Sequence, residues 1–104
     1  MTGARPVFAD IDAERLTLDP RRGRGLRHAD GPRAIVPVHI YGQPADMPAI
    51  VAASPTRHGL AIVEDCCQAH LATCAGQPVG SFGAAAATAS TRRRTSGRSV
   101  TAAL

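Results

Sequence analysis

A chain of 104 residues can hold at most one small domain, and aromatic residues make up only 3% of it, so few large side chains are at hand to anchor a core. The formal charge is +4, every basic residue is an arginine, and the chain contains no lysine. No amino-terminal apolar run has signal-peptide length, no stretch reaches the length of a membrane span, and three cysteines, an odd number, argue against a disulfide framework. The expected compartment is therefore the cytoplasm, with no membrane partner.

In chain order, residues 7–11 have the apolar content of a strand. Residues 21–33 carry almost no apolar side chain and no period, which predicts a loop or disorder. The run 34–40 is nearly continuous in apolar residues, as in a parallel strand buried on both faces. A turn follows at Gly42, Gln43 and Pro44. Asp46 is placed to cap a helix through Met47, Ile50, Val51 and Ala53, interrupted at Pro55 and ended by Gly59. Residues 60–63 form the next strand, which completes a βαβ unit. After Gly83 comes a run of small residues at 84–87. Residues 88–104 are rich in Thr, Ser, Arg and Ala, include Arg92-Arg93-Arg94, and are expected to fray.

The apolar run of the last strand stops at Glu64-Asp65, followed by Cys66-Cys67-Gln68-Ala69-His70. An acidic residue there is commonly a turn former or helix cap. In an open α/β sheet the same place, beyond the carboxyl end of a strand, is also where ligands bind. A carboxylate at that point can pair with a cationic ring nitrogen. Glu64, one residue earlier, points to the other side of the strand and is expected to pair with a basic neighbour. His39, inside an apolar strand, reads as a hydrogen-bonded core histidine. The cluster of Cys66, Cys67, His70 and Cys74 lacks the paired spacing of a zinc site, so no metal is expected, and Cys66 and Cys67 read as small buried residues.

Several segments together resemble the large domain of the DegT/DnrJ/EryC1/StrS sugar aminotransferases. They are Pro6-Val7-Phe8-Ala9-Asp10-Ile11-Asp12, Leu16-Thr17-Leu18-Asp19-Pro20, the run from Ala34 through His39-Ile40-Tyr41-Gly42-Gln43-Pro44 to Met47, the stretch Ala61 to His70, and Gly76-Gln77-Pro78-Val79-Gly80-Ser81-Phe82-Gly83. They stand in family order at plausible spacing. The resemblance implies an α/β fold of the aspartate-aminotransferase-like type (fold type I of the pyridoxal-phosphate enzymes), represented by a fragment of about three parallel strands that is incomplete at both ends. It implies pyridoxal 5′-phosphate as the family cofactor, an amino-acid donor and a nucleotide-linked keto-sugar as substrates, and a homodimer. It carries over two cofactor-binding residues: Asp65 to the pyridine nitrogen, and Gln68 near the phenolic oxygen of the ring. No catalytic residue is carried over.

The family lysine that holds the cofactor and shuttles the proton has no counterpart here, and arginine is neither nucleophilic nor deprotonated at neutral pH. The phosphate-cradling segment and the serine before the lysine are missing as well. The chain as written is therefore expected to be inactive, with weak or no cofactor affinity. The mismatch after Gly83 has a specific form. GC-rich codons for the family's Phe-Tyr-Pro-Thr-Lys-Asn-Leu-Gly, read one base out of phase, give the residues that stand from Ser90 onward, with the lysine codon straddling Arg93 and Arg94. Residues 1–83 are accordingly expected to be a partial large domain, with 21–33 irregular and a second candidate for a local frame slip. Residues 84–104 are expected to be a frameshifted, disordered basic tail. A different reading makes the chain a non-catalytic basic protein that binds nucleic acid or another anionic partner. No aromatic interleaving or recognised binding motif accompanies the arginines, so nucleic acid is not the expected partner. A stand-alone small α/β enzyme is disfavoured because no nucleophile–base pair or phosphate loop is visible.

Overall fold

The structure, a computed structural model, describes residues 3–23, 32–54 and 60–89 and the backbone of 101–103. Its elements are α1 (Pro20–Gly23), β1 (Ala34–Ile35), α2 (Met47–Ala53), β2 (Ala61–Asp65), β3 (Thr73–Cys74), β4 (Gln77–Pro78), β5 (Ala85–Thr88) and β6 (Thr101–Ala103). The main sheet has the order β1-β2-β5-β6. Its first three strands are parallel, with Ile35 beside Ile62 and Val63, Glu64 and Asp65 beside Ala85, Ala86 and Ala87. β6 runs antiparallel along β5, and β3 with β4 forms a separate two-stranded ribbon.

Helix α2 starts where Asp46 supplies a cap, its carboxylate accepting from Ala49 N at 3.2 Å. The same carboxylate meets Arg15 at 2.8 Å. Met47 and Ile50 turn inward and join Ala45 and Ile62 in the buried core, flanked by Leu18, Ile35, Cys74 and Phe82. β2 alternates, with Ile62 and Glu64 buried and Ala61, Val63 and Asp65 only partly so. Gly83 closes tightly on this strand. A Cβ there would stand 2.5 Å from Ile62 O, and the next amide, Ala84 N, donates to that same oxygen at 2.8 Å.

The three parallel strands are not the three that the sequence suggests. Residues 7–11 make no strand; a single antiparallel bridge joins Ile11 to Leu18. Local chemistry wins here. Asp12 Oδ1 accepts from Glu14 N and Arg15 N, and Asp12 N donates to Thr17 O, which folds the chain back before a sheet edge can form. The run 34–40 pairs as a strand only at Ala34–Ile35, with a lone parallel bridge from Val38 to Asp65, because Pro37 has no N–H to continue the ladder. β2 extends through Asp65 rather than stopping at Val63. The third parallel strand is β5, within residues 84–104, the stretch expected to be a disordered tail, and Pro20–Gly23 is a helical turn that enters the stretch expected to be irregular. Ala84 to Ala87 are small enough to lie against β2, and backbone pairing needs no large side chain. The expected break at Pro55 and stop at Gly59, residues 24–31, and the arginine run 92–94 lie outside the described residues.

Several large apolar side chains outside the strands stand open to solvent. Phe8 is 92% and Leu71 99% exposed, and Val7, Ile11 and Val36 are also open to solvent. No helix among the described residues is long and apolar enough to cross a membrane.

Candidate functional site

Asp65 stands at the carboxyl end of β2, the middle of the three parallel strands. Its backbone is held on one side by Asp65 N donating to Pro37 O (2.9 Å) and His39 N donating to Asp65 O (3.0 Å). On the other side Cys66 N donates to Ala87 O at 2.8 Å. The Asp65 side chain is half-buried. Oδ1 accepts from Cys67 N at 3.0 Å, which is the turn-forming role that the sequence allowed. Oδ2 has no protein partner among the described residues. One oxygen therefore shapes the turn, while the other is unengaged among the described residues. Gln68 is exposed, its side-chain amide has no hydrogen-bond partner among the described residues, and its backbone carbonyl accepts from Gly42 N at 2.9 Å. The turn around Tyr41 and Gly42 is thereby tied to the same end of the sheet.

Directly behind Asp65, on the opposite face of β2, Glu64 is completely buried. Its Oε1 accepts from Phe82 N and Gly83 N, both at 2.7 Å, and its Oε2 from Gly80 N at 2.7 Å and His39 Nε2 at 3.1 Å. His39 Nδ1 accepts from Ala45 N at 3.0 Å, so the ring proton sits on Nε2 and points to Glu64. His39 is the core histidine and Glu64 faces away from Asp65 toward a basic neighbour, as the sequence suggested. The three amides of the 80–83 segment were not foreseeable, because a backbone donor leaves no mark in a residue pattern.

The described residues bring His39, Glu64 and Cys66 together, with one ligand atom of each within 4.8 Å of the others. They are engaged with one another and with backbone: both His39 nitrogens and both Glu64 oxygens already have partners. Burial, followed by the charge of Glu64, pushes the Cys66 thiol up to about 11. The four residues Cys66, Cys67, His70 and Cys74 do not converge. Cys67 Sγ lies 3.9 Å from Ala87 O, Cys74 Sγ 3.7 Å from Ala45 O, and His70 Nε2 2.6 Å from Ala89 O. The raised thiol pKa carries a prediction with a definite sign. In the unfolded chain the thiol ionises near 9.0, while in the folded chain it holds its proton to about 11. The unfolded state thus releases its proton first, and stability falls as pH rises from 9 toward 11. Thermal melts across that window are expected to show the fall, and Cys66→Ala to flatten it.

A groove of about 720 Å³ lined by Asp12, Arg15, Asp19, Arg21, Asp46 and Ala53 contains none of the residues above. Its charges are spent on one another: Arg21 meets Asp19 at 3.1 Å and Asp12 at 3.5 Å, and the Arg21 hydrogen bonds hold the Asp19 carboxyl below the usual carboxylate range.

The α/β arrangement with three parallel strands is that of a fragment of a fold type I pyridoxal-phosphate-dependent transferase. The family model of the DegT/DnrJ/EryC1/StrS aminotransferases matches residues 1–90, and the chain belongs to that family. It is 49% identical over 83 residues to a UDP-N-acetyl-3-dehydro-alpha-D-glucosamine 3-aminotransferase of Acidithiobacillus ferrooxidans, covering 78% of this chain and 21% of that protein. Among solved structures it resembles the aminotransferase from Psychrobacter cryohalolentis, with a TM-score of 0.75 and 41% identity over 83% of this chain and 21% of that one. It also resembles the E. coli GDP-4-keto-6-deoxy-D-mannose-3-dehydratase with bound hydrated PLP, with a TM-score of 0.69 and 27% identity over 78% of this chain and 20% of that one. The chain therefore spans about a fifth of the length of the relatives it matches. Pyridoxal 5′-phosphate is the cofactor of the family.

Proposed function

We propose that this chain is the ring-binding piece of an aminotransferase that moves an amino group from an amino acid to a nucleotide-linked keto-sugar, and that the 104 residues as they stand do not catalyse that transfer. The observation that carries the first half is the free Oδ2 of Asp65 at the carboxyl end of β2. A carboxylate there favours the protonated pyridine nitrogen, and the exposed amide of Gln68 can donate to the phenolic oxygen. The residues present thus fit the ring of the cofactor. When bound, that ring supplies an electron sink for charge developing on the substrate carbon. Asp65 holds the proton that makes the sink effective, and the turn bond from Cys67 N keeps the carboxylate aimed. The sugar-nucleotide relatives support the substrate class, and the homodimer comes with the family resemblance.

The second half follows from the missing lysine. The family match runs to residue 90, and β5 keeps its pairing with β2 through Ala87. That supports a frame change between Ala87 and Ser90, slightly later than the position after Gly83 at which the sequence first departs from expectation. We therefore divide the chain into a partial large domain that includes β5 and an out-of-frame remainder.

The nucleotide sequence across the codons for residues 84–97 tests the second half: the alternate frame is expected to encode a Ser-x-x-x-Thr-Lys-like segment, and its absence there sinks the frame change. The ring site is tested on the chain itself with pyridoxamine 5′-phosphate, whose amine cannot condense with the chain. Amide resonances of Asp65 and Gln68 are expected to shift on titration, and Asp65→Asn to weaken binding by about tenfold through loss of a charge-assisted hydrogen bond. Unmoved resonances at both residues would overturn the ring site.

A further inference from the structure

The side chain of Tyr41 is 83% exposed, its hydroxyl has no partner among the described residues, and its φ is 54°, in the left-handed region that bulky residues rarely occupy. The backbone is set by the turn. Ile40 N donates to Gln43 O at 3.1 Å and Gln43 N to Ile40 O at 2.8 Å, which closes a two-residue turn across Tyr41 and Gly42. Both central residues have positive φ, 54° and 78°, the geometry for which Asn-Gly or Gly-Gly is the favoured pair. Tyrosine is a poor choice for that turn, and among the described residues no ring contact offsets the strain. The turn is nevertheless fastened to the candidate ring site, since Gly42 N donates to Gln68 O and His39 N to Asp65 O.

We propose that Tyr41 is a ligand-contacting residue of that site, presenting its phenol ring to the pyridine ring bound by Asp65 and Gln68. This rests on the ring-binding role of Asp65. If Asp65 keeps the pyridine nitrogen protonated, the bound ring is cationic, and the electron-rich face of a phenol is a suitable surface for a cationic ring. A strained, exposed tyrosine at the carboxyl end of the sheet thereby gains a role that asparagine or glycine in the same turn would not supply.

The test uses the full chain and pyridoxamine 5′-phosphate as probe, followed by NMR. On titration the Tyr41 ring protons are expected to move upfield together with the Asp65 and Gln68 amides. Tyr41→Phe keeps the aromatic face and is expected to bind nearly as tightly as the parent. Tyr41→Gly suits the left-handed backbone and folds at least as well, yet is expected to raise the dissociation constant about fivefold. If the Asp65 and Gln68 amides shift while the Tyr41 ring stays still and Tyr41→Gly binds like the parent, the assignment of Tyr41 is wrong and the ring site stands. If none of the three residues responds, the ring site and the role of Tyr41 fall together.

Discussion

Glu64→Ala is expected to leave the chain unfolded at room temperature. The carboxylate is the acceptor for His39 Nε2 and for the amides of Gly80, Phe82 and Gly83, all in one buried place. Deleting it strands four donors. Each stranded buried donor costs about 1–3 kcal/mol, and a small domain has only about 5–15 kcal/mol to lose. Glu64→Gln keeps the shape but turns one acceptor oxygen into a donor facing donors, and is expected to remove about 2–4 kcal/mol. Urea unfolding followed by far-ultraviolet circular dichroism measures both. Glu64→Ala and Glu64→Gln variants within about 1 kcal/mol of the parent would show that the network is dispensable. The partly exposed pair of Arg15 with Asp46 offers the contrast, since surface ion pairs contribute about 0–1 kcal/mol.

The second large effect concerns the lysine. With pyridoxal phosphate and borohydride, mass spectrometry of the 104-residue chain is expected to find reductive labelling at the terminal α-amine and nowhere else, because the chain has no lysine to react. An assay with glutamate and a nucleotide-linked keto-sugar is expected to show no turnover above that of the cofactor alone. Correcting the frame after Ala87 is expected to add a labelled site at the restored lysine. Measurable turnover by the uncorrected chain would contradict this account. Arginine is not an escape, since a guanidinium keeps its proton and its delocalised charge at neutral pH.

The parts of the fold that sequence made legible are those governed by side chains. Asp46 announced its helix through a capping oxygen, Met47 and Ile50 announced its buried face through their spacing, and the apolar run 60–63 announced the middle strand, though not its extension through Asp65. The parts it hid are governed by backbone. Pro37 shortened β1 by withholding an amide, Asp12 Oδ1 folded residues 12–17 into a turn where an apolar count suggested a strand, and β5 formed from alanines whose only qualification is that they do not obstruct pairing. The site divides in the same way. His39 as a core histidine and Glu64 on the opposite face from Asp65 were identifiable by residue type, whereas the roles of Asp65 and Gln68 are expectations drawn from the family resemblance. The amides that hold Glu64 and the strained turn that carries Tyr41 emerged only from the geometry.

The turn at Tyr41 has a practical consequence for optical work. The chain has no tryptophan and a single tyrosine, and that tyrosine sits in the turn that Gly42 N ties to the backbone of Gln68. Near-ultraviolet absorption and emission above the weak contribution of two phenylalanines therefore come from one ring at one end of one sheet. Most small proteins average such signals over several chromophores. This one has a built-in single-residue probe at the place where a ligand is expected to arrive.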